Sequence, residues 1–370
     1  MKNLTDLITF QNLIILTTFW QTFVSFINFI SKPILPKEQK KIDELVSILI
    51  PARNEEKNII NLLDSIKNQN YENIEVIILD DHSEDNTFDL VQNFCNLNQN
   101  FKVIKGETLP PNWLGKNWAC HQLALESTGK YLVFLDADTT IYNNLIINSV
   151  SYMKDKKLKL LSLFPEQITV TYGEKIVVNF INYVLLTLLP LHLVKIPFFS
   201  SISAANGQFM LFERSNYQEN LWHKRVRKNI AEDVEIARIM KKNKYKIAVL
   251  LGNSFIKCRM YNNIEECIKG FEKNILLIFG NSIIFLILYI LLGLLNIFLV
   301  NNANNLIIIL IFILLSKIFT SITSNQNIIL NIILYPFQII MIIFISLKAV
   351  YKKITKNNVS WKNREILLEK

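Results

Sequence analysis

Apolar residues along this chain gather into runs of two lengths. The short ones are strand-sized: Val46–Ile50, Ile74–Leu79, Phe101–Ile104 and Tyr131–Leu135. They are rich in β-branched and aromatic residues and apolar throughout, as strands buried on both faces must be. Between the first two, Ile59, Leu62, Leu63 and Ile66 keep helical spacing. Pro51 is expected to end the first strand and Asn54 to cap that helix. Strand, helix, strand at this spacing predicts an α/β domain with a parallel sheet of the nucleotide-binding kind.

The long runs are membrane-sized. Residues from about Leu7 to Ile30 are nearly uncharged and include Phe10, Trp20, Phe23, Phe26 and Phe29, which matches the roughly 20 residues a bilayer crossing needs. Polar Gln11, Thr17, Thr18, Gln21 and Thr22 interrupt the run and no small-residue cleavage site follows. It therefore reads as a retained anchor over 1–31 rather than a signal peptide, the alternative being a helix lying along the interface. Lys32, Lys37, Lys40 and Lys41 come next and assign that side to the cytosol. Further on, Ile275–Val300 reads as an uninterrupted span, Asn301–Asn305 as a turn, Leu306–Thr323 as a second span, and Ile328–Leu347 as a third with a kink at Pro336. Residues 176–199 are apolar but broken by Asn179, Asn182, Pro190, His192, Lys195 and Pro197, which favours an interfacial helix and loop over a full span. The expected order is an anchor (1–31), an α/β domain (45–274), transmembrane helices (275–347) and a basic tail (348–370).

These expectations conflict at one point. Three spans after a cytosolic domain leave the C-terminus outside, whereas Lys348, Lys352, Lys353 and Lys356 predict a cytosolic tail. Either one apolar segment turns back, with the Pro336 segment the first candidate and the one holding Lys317 the second, or residues 176–199 cross.

Hydrophobic residues make up 51% of the 370 positions and the mean hydropathy is +0.25, high for a soluble enzyme but natural for roughly two parts of which one is in lipid. The net charge of +9 reads as membrane flanks. Lysines sit beside apolar runs, and no basic stretch interleaved with aromatics suggests nucleic acid. Cys95, Cys120, Cys258 and Cys267 have no zinc-like or disulfide-like spacing and fit a reducing compartment.

The candidate chemistry sits where strands end. Tyr131–Leu135 stops at Asp136, with Asp138 two residues on. Side chains alternate along a strand, so both carboxylates can face one way and hold Mg²⁺ or Mn²⁺ that leaves positions for water and phosphate. Pro51-Ala-Arg53-Asn54-Glu55, Asp80-Asp81 and Gly115-Lys116-Asn117-Trp118-Ala119 stand at other ends or loops. Each alone can be a helix start, a capping turn or a surface charge. Together they describe a nucleotide-diphosphate site, with carboxylates on uridine or ribose, a lysine on phosphate and a metal across the diphosphate. Neither a Gly-x-x-x-x-Gly-Lys loop nor a Gly-x-Gly-x-x-Gly fingerprint is present, which counts against ATPase and dinucleotide readings.

The strings S-I-L-I-P-A-R-N-E-E, E-V-I-I-L-D-D-H-S-E-D-N-T, G-K-N-W-A and Y-L-V-F-L-D-A-D resemble family 2 glycosyltransferases, the large inverting family with the GT-A fold. More narrowly, L-P-P-N-W-L-G-K-N-W-A-C-H-Q, A-N-G-Q-F-M-L-F-E-R, A-E-D-V-E-I-A-R and C-R-M-Y resemble the membrane-bound branch containing 4,4'-diaponeurosporenoate and hopanoid-associated glycosyltransferases. The resemblance implies a GT-A-like, Rossmann-like domain between N-terminal and C-terminal transmembrane helices. It implies donor contacts by Pro51, Asn54, Glu55 (near ribose), Asp80 or Asp81 (near uracil), Lys116 and Asp136. It further implies a metal held by Asp136 and Asp138, and Asp233 as catalytic base. Glu232, His223, Arg259 and Trp118 are candidate acceptor or phosphate contacts. For Glu232-Asp233 the plainer reading is a helix start, where acids suit the dipole; for His223 it is a structural histidine, and for Arg259 a carboxylate partner.

The implied activity is inverting, metal-dependent transfer of a hexose, glucose foremost, from a nucleotide diphosphate sugar such as a UDP-sugar to a membrane lipid, for example a carotenoid or another isoprenoid lipid. The enzyme would be a multi-pass protein of the cell membrane with its catalytic domain in the cytosol, and no nucleic-acid partner is expected. The rivals are a polyprenyl-phosphate sugar transferase, a polysaccharide synthase and a membrane scaffold with a decayed transferase domain. The synthase reading is weakened by the absence of Gln-x-x-Arg-Trp after the acids, where the chain instead reads Cys258-Arg259-Met260-Tyr261.

Overall fold

A computed structural model describes residues 2–37, 42–196, 200, 202–355, 359–361 and 364–366. Of the residues named above, Lys40, Lys41, Pro197 and Lys356 lie outside it. The chain forms two compact units. One comprises Pro33–Ile168 and Leu191–Met260, the other Met1–Lys32, Thr169–Pro190 and Tyr261–Lys370.

The first unit is built on a seven-stranded sheet. In chain order its strands are β1 (Val46–Ala52), β2 (Ile74–Asp80), β3 (Phe101–Lys105), β4 (Tyr131–Leu135), β5 (Thr139–Ile141), β6 (Leu160–Phe164), β7 (Glu166–Gln167), β8 (Phe209–Glu213), β9 (Ile247–Leu251) and β10 (Ile256–Cys258). The large sheet runs β3-β2-β1-β4-β8-β6-β9, and β5-β10-β7 form a small second sheet. Ile48, Leu49, Ile50, Val76, Ile77 and Ile78 are fully buried, as the uninterrupted apolar runs require of strands covered on both faces.

Two expectations are corrected here. The sheet is mixed, because β8 lies antiparallel between β4 and β6. This brings Gln208, entering β8, against Asp136, leaving β4; the Asp136 N–H donates to the Gln208 carbonyl at 3.3 Å. In addition, β1 does not stop at Pro51. It continues to Ala52, pairing Pro51 with Leu79 and Ala52 with Asp80. Its ladder to β4 ends earlier, at Leu49, so proline occupies a stretch paired on one side alone, where its missing donor is tolerated.

The second unit is helical and inverts the soluble pattern. Helix Lys2–Ser31 buries Gln11, Thr18, Gln21, Thr22, Ser25 and Asn28 while Leu16, Phe19, Trp20 and Phe26 are exposed. Helix Ala303–Thr323 likewise buries Ser316, Lys317, Thr320 and Ser321 and exposes Ile307, Leu310, Ile311 and Leu314. Polar groups inside and apolar groups outside is the arrangement that suits lipid, where helices associate by packing and hydrogen bonds. Phe10–Ser31 and Ala303–Thr323 are long and apolar enough to cross a membrane. Lys317 donates to Gln338 Oε1 at 2.8 Å and lies 3.9 Å from the centre of the Tyr183 ring.

Residues 275–300 are not one continuous helix. Helix Ile264–Ile278 and the turns of Ile283–Leu294 meet at 105°. The break holds Gly280 (φ +63°) and Asn281 (φ +62°) in the left-handed region, and Ser282 caps the next helix. Such residues end a helix. The third apolar run is two helices, Ile328–Ile333 and Tyr335–Thr355, parted just before Pro336. Glu272, on the helix before the bend, is buried and pairs with Lys352 at 2.5 Å and Lys348 at 3.8 Å on Tyr335–Thr355. Lys353 donates to the Asn281 carbonyl at 2.5 Å.

The segment 176–199 divides. Helix Tyr172–Leu188, started by a Thr171–Glu174 capping box, belongs to the helical unit, and Asn179 and Asn28 make hydrogen bonds within it. The turn Leu191–Lys195 belongs to the sheet unit. Residues 261–274, expected in the α/β domain, also fall in the helical unit.

Candidate active site

The loops after β1 and β2 are laced together. Arg53 Nη1 donates to the Asp81 and His82 carbonyls at 2.7 Å and 3.2 Å. The Asn54 N–H donates to Ser83 Oγ at 3.0 Å, and Asn54 Oδ1 accepts from the Glu84 N–H at 2.8 Å. The Glu55 N–H donates to Thr87 Oγ1 at 2.8 Å. Asn54 has φ +53°, a conformation asparagine accepts more readily than most side chains. It does not cap the next helix, as its sequence position suggests; that helix begins at Ile59 behind Asn58. Its side chain secures the neighbouring loop instead. Asp80 and Asp81 are buried. Asp80 Oδ2 accepts from the Ser83 N–H at 3.3 Å, while its Oδ1 is buried with no hydrogen-bond partner among the described residues, an acceptor whose desolvation is uncompensated.

Lys116 stands at the start of helix Gly115–Glu126. Its Nζ lies 2.8 Å and 2.9 Å from the two oxygens of Asp136, and 3.3 Å from Glu232 Oε1. The adjacent Asn117, fully buried, donates to the carbonyls of Val226, Arg227 and Asn229 at 3.0, 3.3 and 3.1 Å. Those bonds fix the loop that leads into helix Glu232–Lys242. Asp233, at its first turn, accepts from the Gly207 N–H through Oδ2 and from the Val234 N–H through Oδ1, both at 2.8 Å. A side chain at Gly207 would meet Lys116 Nζ at 3.0 Å and Glu232 Oε1 at 3.1 Å.

The charge state of the cluster follows from its burial. Burial would lower Lys116, but the Asp136 and Glu232 carboxylates outweigh it and push the ammonium well above the lysine range. Burial raises Glu232 to about 7, against the pull of Lys116 and with help from Asp233. Asp233 is raised as well, again chiefly by burial. Both neighbouring acids are therefore held above the ordinary carboxylate range, Glu232 at about 7.

The structure brings Asp136, Lys116, Glu232 and Asp233 together. Asp136 and Asp138 lie past the end of β4, on the turn into β5, so it is a turn and not strand alternation that orients them. Burial and the nearby Asp138 and Asp136 carboxylates push the Cys258 thiol well up, and Gln208 Nε2 donates to Cys258 Sγ at 2.9 Å. Two hard carboxylate oxygens on one turn, already facing a cation at Asp136, fit a small divalent ion. No group of three or more His, Cys, Asp or Glu is arranged as a metal site among the described residues, so water and ligand oxygens would fill the shell.

Other candidates stand elsewhere. His223 is buried, its Nδ1 2.6 Å from the Tyr217 hydroxyl and its ring 4.7 Å from that of Phe134. Burial, then Lys116 and His121, push it down to about 3. Trp118 is half-buried and gives its Nε1–H to the Glu107 carbonyl at 3.3 Å. Arg259 is exposed. Sequence reasoning quoted Gly207 and Asn117 only inside longer strings. Their signal, a glycine shortly before β8 and an asparagine beside the lysine, has no meaning until the loops they touch are known.

Comparison with known proteins completes the picture. Residues 47–187 match the family model described as Glycosyl transferase family 2. The 4,4'-diaponeurosporenoate glycosyltransferase of Staphylococcus haemolyticus (strain JCSC1435) is 25% identical over 65% of this chain and 63% of its own length. That of Staphylococcus aureus (strain USA300) is 26% identical over 62% and 60%. The match thus spans somewhat under two thirds of these relatives. In fold, the chain is similar over 96% of its length to the mannosyltransferase PcManGT of Pyrobaculum calidifontis, solved in complex with GDP-Man and Mn²⁺, with a TM-score of 0.54 at 15% identity over 99% of that chain. The mixed sheet has GT-A-like neighbours, residues 47–187 carry the match to family 2 glycosyltransferases, and the chain resembles 4,4'-diaponeurosporenoate glycosyltransferase.

Proposed function

We propose that this enzyme transfers a hexose, glucose foremost, from a UDP-sugar to a lipid acceptor in the membrane, with inversion at the sugar carbon. The observation that carries the reading is the Lys116 bridge between Asp136 and Glu232 beside Asp233. It sets an ammonium for phosphate and a raised carboxylate for a proton at one place. The acceptor hydroxyl attacks the anomeric carbon while Asp233 takes its proton, and the bond to the diphosphate breaks, its electron pair leaving with phosphate oxygen. Lys116 offsets charge on the departing diphosphate. Asp136 and Asp138 would hold Mg²⁺ or Mn²⁺, which when bound supplies further charge neutralisation there. Glu55 and the buried Asp80–Asp81 pair would meet the nucleoside, the unsatisfied Asp80 Oδ1 offering an acceptor to a base N–H. A carboxylic acid acceptor would arrive ionised, and Asp233 would then position rather than deprotonate.

The lipid acceptor is supported by the relatives' carotenoid-derived substrate name and by the helices long enough to cross a membrane. On this reading the enzyme is multi-pass in the cell membrane with the catalytic unit in the cytosol. The test is incubation of membranes holding the protein with labelled UDP-glucose, Mn²⁺ and a lipid extract, with Asp233→Asn as control. Label in the organic phase that vanishes in the control supports the reading, and chelation should abolish it. Failure with every nucleotide sugar, where a positive-control transferase works, refutes the lipid acceptor and advances the polymer or scaffold alternatives.

A further inference from the structure

Just ahead of Glu232 the chain carries Lys224, Arg225, Arg227 and Lys228, all exposed. No carboxylate pairs with Lys224, Arg225 or Arg227 among the described residues. Arg225 gives Nε–H to the Asn220 carbonyl at 2.8 Å and lies 5.1 Å from the Trp222 ring centre. The backbone carrying these cations is held by the three Asn117 bonds, and the Leu114 N–H donates to the Arg227 carbonyl at 2.9 Å. That last bond sets the preceding loop alongside, where Pro111 and Asn112 are exposed and Trp113 is half-buried, its ring stacked 5.2 Å from His121.

Like charges packed on a fixed backbone repel one another unless a counter-charge comes from outside. We propose that this loop docks on an anionic lipid surface, with Lys224, Arg225 and Arg227 meeting headgroup phosphates and Trp113 at the headgroup boundary. Three observations favour that partner. Lys224, Arg225 and Arg227 are exposed and have no carboxylate partner among the described residues. A tryptophan, the residue favoured at membrane–water boundaries, adjoins them. The same chain carries helices long enough to cross a bilayer, which keeps a lipid surface at high effective concentration. The inference does not depend on which sugar or acceptor is used.

The test uses the full chain in nanodiscs of brominated phosphatidylcholine, with or without brominated phosphatidylglycerol. The difference between wild type and Trp113→Phe isolates the Trp113 fluorescence. Each cation near an anionic surface strengthens attraction about five-fold. Trp113 should therefore be quenched at least about two-fold more with phosphatidylglycerol, and the excess should vanish in high salt and in the Lys224→Gln/Arg225→Gln/Arg227→Gln variant. Equal quenching in both discs, or quenching indifferent to salt, overturns the proposal. So does a variant that keeps the excess quenching but loses UDP binding, because the cations would then belong to the donor. Should the variant misfold, the lipid and salt dependence of the wild type decides alone.

Discussion

Lys116 holds both oxygens of Asp136, at 2.8 Å and 2.9 Å. The pair is a quarter exposed, so losing the ammonium should cost little stability but leave Asp136 and Glu232 mutually repulsive. Lys116→Gln is expected to lower kcat by about two to three orders of magnitude, the scale for removing one group that stabilises developing charge. The melting temperature should stay within a few degrees of wild type. Steady-state kinetics beside thermal denaturation separates the effects, and an equal collapse of both would show that the lysine is structural.

Gly207 is a place where one methyl group matters. A Cβ there meets Lys116 Nζ at 3.0 Å, Glu232 Oε1 at 3.1 Å and Asp233 Oδ2 at 3.6 Å. All three are ends of side chains that can shift by tenths of an ångström. Gly207→Ala is therefore expected to fold, yet to lose about ten-fold or more in activity through displaced reacting groups. Near-normal kcat would mean that the cluster tolerates rearrangement.

The acid pair sets a pH dependence. Glu232 is raised from 4.5 to about 7, and Asp233 is raised with it. A base must be ionised, so activity should rise with pH along a limb displaced above the ordinary carboxylate range and belonging to the pair. Folding stability runs the other way. The folded state holds a proton that the unfolded chain releases at about 4.5, so this contribution is complete below that value and lost as pH rises toward 7. Melting curves without divalent cations should show the loss, and Glu232→Gln should flatten it. A flat profile in the wild type would count against the raised value.

His223 gives the opposite slope. Its ring is pushed down to about 3 by burial, so it stays neutral when folded but takes a proton near 6.5 when unfolded. The stability it contributes is present above about 6.5 and lost as pH falls toward 3. His223→Phe should abolish that slope and cost about 1–3 kcal/mol, since the Tyr217 hydroxyl loses its partner. UDP affinity should be unchanged; a large loss of affinity would restore a contact role for this histidine.

What the sequence made legible was set by how local the cause is. The four first strands were readable because each is an unbroken apolar run. Asp136, Lys116 and Asp233, which the fold gathers into one cluster, could be singled out beforehand because the strings resembling the family carry them. Asn54 misled because asparagine serves both as a helix cap and as a left-handed turn residue, and only the Glu84 N–H beside it decides. The antiparallel β8 was invisible because its neighbours are remote in sequence. Its partners β4 and β6 come from 131–135 and 160–164, and an apolar strand reads the same in either direction. The break at 279–282 was hidden by hydropathy: two polar residues and a glycine barely lower the average over 26 residues, yet they carry the backbone through a right angle.

The pairing of Glu272 with Lys352 has a consequence for how the chain is threaded. Glu272 precedes the apolar segments that close the sequence, and Lys352 follows them. Two ends that clasp each other at 2.5 Å would share one face of any layer the intervening chain enters, and on the proposed membrane reading that chain would make an even number of passes, like a stitch returning to the side it left. Of the three apolar runs between them, the one folded through 105° is the natural one to turn back. The tail would then emerge on the face from which the helix of Glu272 sets out, the same side for both ends of the stitch.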